Sequence, residues 1–124
     1  MAKKNADWRQ ELAEQILGQM IFAAGSGSGG LWVAREAISE IRTYFHPFVA
    51  GVISRQSQSK ATQEWKEAAA HILHYLDTIG RVAAQRALAG CQYCIDGAAM
   101  REAIRCVVAD VNGRTPAAGR WCGA

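Results

Sequence analysis

Long apolar runs and a large excess of charge of one sign are missing from this 124-residue sequence, and we expect no secretory leader. No segment approaches the roughly 20 apolar residues of a transmembrane helix, so we expect no membrane contact. The first residues contain two lysines but no apolar segment follows them, which predicts a cytoplasmic protein. The net charge of +3 permits contact with nucleic acid and does not require it.

Signatures of catalysis are also missing. We find no nucleophile with a neighbouring base and orienting group, and no metal-ligand set with an open position. A glycine-rich segment, Gly25 to Gly30, precedes a helical pattern, but Leu31 and Trp32 stand where a P-loop has Lys and Ser or Thr. We therefore expect no enzymatic activity and no cofactor, and a function that depends on binding surfaces.

Helical periodicity is the strongest signal that the sequence does contain. From Thr62 to Ala89, apolar residues recur at steps of four and three, which lines one face of a long helix. Three other segments show similar patterns. The first ends near Ala24, the second runs from Leu31 to an interruption at Pro47 and continues over 48–53, and the third runs from about Gly97 to Val111. No segment shows the period-two alternation of a half-buried strand.

These patterns predict an all-α fold, a compact bundle of four to five helices with a long central helix at about 62–89. The whole chain, 1–124, is expected to form a single domain, with a flexible Gly/Ser loop at 25–30, a polar loop at Ser54–Lys60 and an irregular tail at 113–124. The expected core contains Trp65, Ile72, Leu76 and Ile79 together with Ile38, Ile41, Ile104 and Val107.

One part of the chain resembles a known fold. The segment from Tyr75 to Val108 combines a long helix carrying Gly80-Arg-Val-Ala-Ala84, a short loop, and Ile95-Asp96 before a helix with Met100, Ala103 and Ile104. This order is similar to the second half of a histone fold and to the lid bundles of AAA-type ATPases. The resemblance implies a helix-loop-helix with a capped second helix, although cysteines stand in the loop where the family has a basic residue.

The cysteines and histidines allow more than one interpretation. Cys91 and Cys94 have the CxxC spacing of a zinc site, but His71 and His74 lie roughly 25–35 Å before them along the predicted helix. Burial of free cysteines is the alternative in a reducing compartment, and Cys106 and Cys122 are the other two cysteines. We expect no metal site from these residues.

The cationic side chains are spaced so that several share a helix face. Arg35 and Arg42 lie two turns apart, and Arg101 and Arg105 lie one turn apart. Rows of guanidinium groups suit phosphate contacts, because each fork binds two phosphate oxygens, whereas solvated faces with glutamate partners are the alternative. The candidate nucleic-acid-binding residues are Arg35, Arg42, Arg55, Lys60, Arg81, Arg86, Arg101 and Arg105.

Four tryptophans are too many for a chain of this length to bury completely. Trp32 and Trp121 lie beside glycine-containing segments, where an exposed indole commonly anchors a partner chain. These two residues are therefore the candidate partner-binding residues.

Together these features predict a non-catalytic small helical subunit of a nucleoprotein assembly. Arginine-bearing helix faces would contact the backbone of DNA or RNA, and apolar faces would contact neighbouring subunits. The small helical subunits of CRISPR effector complexes are one class of protein with this size and character. The comparison rests on the type of protein and not on a shared motif. One alternative is a protein-interaction or self-associating helical module without nucleic acid, and another is a helical adaptor stabilised by zinc.

Overall fold

The computed structural model describes the backbone of residues 8–114 and the side chains of residues 8–109. This part of the chain is almost entirely α-helical, as the periodicity predicts. Its elements, in chain order, are α1 (Trp8–Gly27), β1 (Trp32–Val33), α2 (Arg35–Ile53), α3 (Gln58–Ala89), β2 (Cys94–Ile95) and α4 (Gly97–Arg114).

The described chain consists of two successive units, each formed by a helix, a two-residue strand and a second helix. The strands pair in parallel, with Trp32 opposite Cys94 and Val33 opposite Ile95. Ile95 is fully buried, so this pair faces the core, and Trp32 and Cys94 face outward because side chains alternate along a strand. The bridge therefore holds the first turns of α2 and α4 side by side.

One apolar core is shared by the four helices of residues 8–114. The helix α1 packs mainly on α3, while α4 lies against both α2 and α3. Leu76, Ile79 and Ile41 are fully buried, and seven of the eight predicted core residues have less than a tenth of their surface exposed. Ile38 is the exception, since it is only half-buried and the small Ala37 occupies the buried position beside it.

The glycine-rich segment is more ordered than the sequence suggests. The helix α1 continues through Gly27, so the predicted flexible loop at 25–30 is reduced to a turn. Ser28 is buried, and its hydroxyl donates to the Gly25 carbonyl at 2.6 Å. Gly29 and Gly30 have φ values of 66° and 98°, which favour glycine and redirect the chain into β1.

A close helix crossing explains why glycine is accepted inside two of the helices. A Cβ atom on Gly80 of α3 would overlap the carbonyl oxygen of Ala24, and one on Gly27 of α1 would overlap the carbonyl oxygen of Asp77. Each helix therefore presents a glycine to the main chain of the other. This crossing fixes how closely α1 and α3 approach.

Pro47 does not break α2, so the predicted interruption is wrong. Pro47 and Thr43 are both exposed on the solvent side of the helix. The carbonyl of Thr43, which loses its usual intrahelical donor, can therefore bind water. The short strand β1 also separates α1 from α2, although the sequence shows no strand pattern.

Several helix ends differ from the predicted ones by a few residues. The helix α3 begins four residues before Thr62, because the Ser57 hydroxyl accepts the Lys60 N–H at 3.1 Å and caps it, which leaves only 54–57 of the predicted polar loop. Asp96 caps α4 as predicted, accepting the Ala99 N–H at 2.9 Å. The helix α4 continues to Arg114, into the predicted irregular tail, and residues 115–124 lie outside the described chain.

Candidate binding surfaces

Four of the eight predicted nucleic-acid-binding residues already form ion pairs in the described part of the chain. Arg55 binds Glu64 at the start of α3, and Arg81 binds Asp77 one turn earlier on the same helix. Arg101 binds Glu40, and Arg105 lies 4.0 Å from Glu102. These pairs neutralise much of the cationic charge that the arginine spacing suggests.

The pair between Arg101 and Glu40 has a structural role. Two guanidinium nitrogens, Nε and Nη2, donate to the two carboxylate oxygens at 3.2 and 2.9 Å, which joins α4 to α2. The hydrogen bonding that Arg101 donates to Glu40, followed by the negative charge of Glu40, raises the pKa of Arg101 above its ordinary value. Glu64 raises the pKa of Arg55 in the same way.

Arg86 contacts a sulfur atom instead of a carboxylate. Its Nη2 donates to Cys106 Sγ at 3.2 Å across the contact between α3 and α4. The same sulfur lies 3.8 Å from a carboxylate oxygen of Glu102. Arg86 thus connects two helices at the surface.

Arg35, Arg42 and Lys60 are exposed and form no ion pair within the described part of the chain. Arg35 and Arg42 are seven residues apart on α2, which places them on one face about 10 Å apart along the axis. The exposed His46 continues that face one turn further. We call Arg35, Arg42 and His46 the basic face of α2.

The acidic residues of α2 lie on a different side of the helix. Glu40 faces α4, where it binds Arg101, and the step of two residues from Arg42 corresponds to roughly 200° around the axis. A shallow groove between the first turns of α2 and α4 is lined by Arg35 and Arg101 but also by Glu36, Glu40 and Asp96. This groove has mixed charge, so the cationic character is strongest toward Arg42.

Trp32 is exposed over 73% of its surface, as the sequence predicts for an anchoring tryptophan. Trp65 is buried and Trp8 is half-buried, while Trp121 lies outside the described residues. Tyr93 is 80% exposed and directly precedes Cys94, the residue paired with Trp32. Trp32 lies in β1 and Tyr93 lies in the loop immediately before β2, and we call these two exposed residues the aromatic edge.

Sequence reasoning missed Tyr93 because it lies in a loop with no periodicity. An aromatic residue between two cysteines in a predicted turn could have indicated it. Phe22 on α1 is also exposed, over 78% of its surface, and gave no signal because this helix has apolar residues on more than one face.

The cysteines are more exposed than the burial interpretation suggests. Cys91 is exposed and Cys94 and Cys106 are half-buried, and all three are free thiols, while Cys122 lies outside the described residues. His71 and His74 are exposed on α3. Within the described side chains, no three His, Cys, Asp or Glu residues come close enough to hold a metal ion.

None of the helices within residues 8–114 combines the length and apolar content needed to cross a membrane. The chain matches no protein-family model, no curated protein and no solved structure. Its own surface chemistry is therefore the basis for a functional proposal.

Proposed function

We propose that the protein is a non-catalytic helical subunit that binds the phosphate backbone of a nucleic acid through the basic face of α2. The supporting observation is that Arg35 and Arg42 are exposed on one helix face without ion pairs in the described part of the chain, whereas four other predicted arginines have carboxylate partners. Arginine side chains free of partners can offer their whole fork to phosphate oxygens.

The spacing of the two arginines is compatible with a nucleic-acid strand. Their separation of about 10 Å along the helix axis is large enough for the two guanidinium groups to contact different phosphates of one strand. Both arginines belong to the same rigid helix, so they keep this separation without any ordering of a loop. Two backbone contacts alone give weak binding, and further contacts from neighbouring subunits fit the assembly that the sequence suggests.

Fluorescence anisotropy with labelled single-stranded RNA, single-stranded DNA and duplex DNA, measured at several salt concentrations, tests this proposal. The variant combines Arg35→Gln with Arg42→Gln, since glutamine keeps part of the stem that packs on the helix surface. We expect weaker binding and a salt slope reduced by up to about two units, roughly one for each arginine that no longer neutralises a phosphate.

The matched control combines Arg55→Gln with Arg81→Gln, which removes the same two charges from ion-paired arginines. Both double variants have a formal net charge of +1, because each removes two of the three excess positive charges. An equal loss of affinity in the two variants would show that only net charge matters. Absence of salt-dependent binding by the wild-type protein, both alone and together with its natural partners, would exclude nucleic acid as a partner.

A protein-interaction or self-associating module is the second candidate, and the aromatic edge favours it. Exposed tryptophan and tyrosine side chains are the residues that most often dominate protein interfaces. Sedimentation velocity of a Trp32→Ala, Tyr93→Ala variant tests it, with Phe22→Ala as a control that removes an equally exposed aromatic residue from α1. Loss of self-association in the double variant but not in the control would support this candidate. If the double variant sediments like the wild-type protein, self-association through the aromatic edge is excluded.

A further inference from the structure

A groove between α2 and α4 combines an apolar floor with a cationic rim. Its volume is about 430 Å³, and Tyr44, Ile104 and Val108 form the floor. Arg101 and Arg105 stand at the rim. This volume lies within the range of about 300–1,000 Å³ that is typical of small-molecule sites.

The arrangement of the two helices shapes this groove. Close to its N-terminus, α4 lies directly against α2, since a Cβ atom on Gly97 would be 3.2 Å from the Cβ of Glu36. One turn further along both helices, Glu40 and Arg101 join the helices through two hydrogen bonds. Beyond that pair, Tyr44 and Arg105 are each four residues further along their helices and line the open part of the groove.

The charges around the groove leave one guanidinium group weakly engaged. Arg101 uses two of its five N–H donors on Glu40. Arg105 has a side chain that is 70% exposed, and its ion pair with Glu102 is 4.0 Å long. The described lining residues contain two arginines and one glutamate, a formal charge of +1 that the neighbouring Glu102 reduces where it approaches Arg105.

We propose that this groove binds a small organic anion with an apolar ring system or chain. The apolar part packs on Tyr44, Ile104 and Val108, where it is removed from water, and the anionic group binds Arg105. The polar remainder of the rim, the pair of Arg101 and Glu40, stays intact and closes one end of the site. This site does not depend on the basic face of α2, because Arg42 lies on the side of that helix opposite Glu40.

Fluorescence titration of the full-length protein with anilinonaphthalene sulfonate tests the proposal, because this dye has an apolar ring system and one negative charge. The neutral dye N-phenylnaphthylamine has the same ring system without the sulfonate group. We expect saturable binding of the anionic dye. With Arg105→Gln, its affinity should fall about fivefold, which is the scale of an exposed charge contact, and the neutral dye should bind as before.

A second variant, Ala109→Trp, fills the groove from an exposed position and should abolish binding of both dyes. The controls are Arg81→Gln and Ala70→Trp, which change exposed residues of α3 away from the groove, with circular dichroism to verify folding. The proposal is overturned if the wild-type protein shows no saturable binding, or if Ala109→Trp binds the dyes normally. It is also overturned if Arg105→Gln weakens both dyes equally, or if Ala109→Trp converts an oligomer to a monomer, which would assign the groove to a second copy of the chain.

Discussion

Replacement of Gly80 by alanine should destabilise the protein, although helix propensity predicts the opposite. In the interior of a helix, alanine is favoured over glycine by up to about 1 kcal/mol. At this position, however, the new methyl group would overlap the carbonyl group of Ala24 on α1. The obstacle is main chain, which cannot rotate aside as a side chain can. The helices α1 and α3 would therefore have to separate.

The close crossing of the two helices sets the expected size of this effect. Forcing additional atoms into a packed contact usually costs about 1–3 kcal/mol, and the propensity gain offsets about 1 kcal/mol of that cost. Because the obstacle is main chain, we take the upper part of this range, about 2–3 kcal/mol, and expect Gly80→Ala to lower the free energy of unfolding by roughly 1–2 kcal/mol. Combining it with Gly27→Ala should cost less than the sum of the two single effects, because both substitutions disturb the same crossing of α1 and α3.

Urea denaturation followed by circular dichroism measures this difference. Gly18→Ala is the matched control, because Gly18 lies in α1 and a Cβ atom there would meet nothing within 4 Å. We expect Gly18→Ala to stabilise the protein by up to about 1 kcal/mol. A Gly80→Ala protein that is as stable as the wild type, or more stable, would refute the close backbone contact.

Two further predictions concern the core and a helix cap. Leu76→Ala should lower the free energy of unfolding by about 2–5 kcal/mol, since Leu76 is fully buried and its loss leaves a cavity; chemical denaturation measures it, and a loss below about half a kilocalorie would contradict burial. Asp96→Ala should cost about 0.5–2 kcal/mol in the same assay, because it removes the acceptor of the Ala99 N–H at the start of α4. Asp96→Asn retains that acceptor and should be close to neutral, and an equal loss in both variants would show that charge, not capping, is what matters.

The helices and most of the core follow from local sequence patterns. The spacing of Ile72, Leu76 and Ile79 predicts one buried face of α3, and these residues are buried. Asp96 marks the start of α4 through capping chemistry that depends only on neighbouring residues. Such features need no knowledge of the rest of the chain, because their physical causes act within a few residues.

The candidate surfaces depend more on contacts between distant residues. Arg101 and Arg105 lie one turn apart on α4. Arg101 binds Glu40, which is 61 positions away in the sequence, whereas Arg105 is paired with Glu102, three positions away on the same helix. Spacing alone could not distinguish them. The outward position of Trp32 likewise depends on the parallel pairing of β1 with β2, which the sequence of two-residue strands does not reveal.

The sequence by itself determined the helical class, the position of the long helix and the composition of its buried face, because periodicity and capping are local properties. Tertiary structure decided that Gly25 and Gly27 stay in α1, since Gly27 packs against the main chain of α3, and that four predicted arginines are occupied by carboxylates. It also decided that α2 and α4 enclose a groove. These features arise where elements far apart in the chain meet, and the distances between such elements are not encoded in any local pattern.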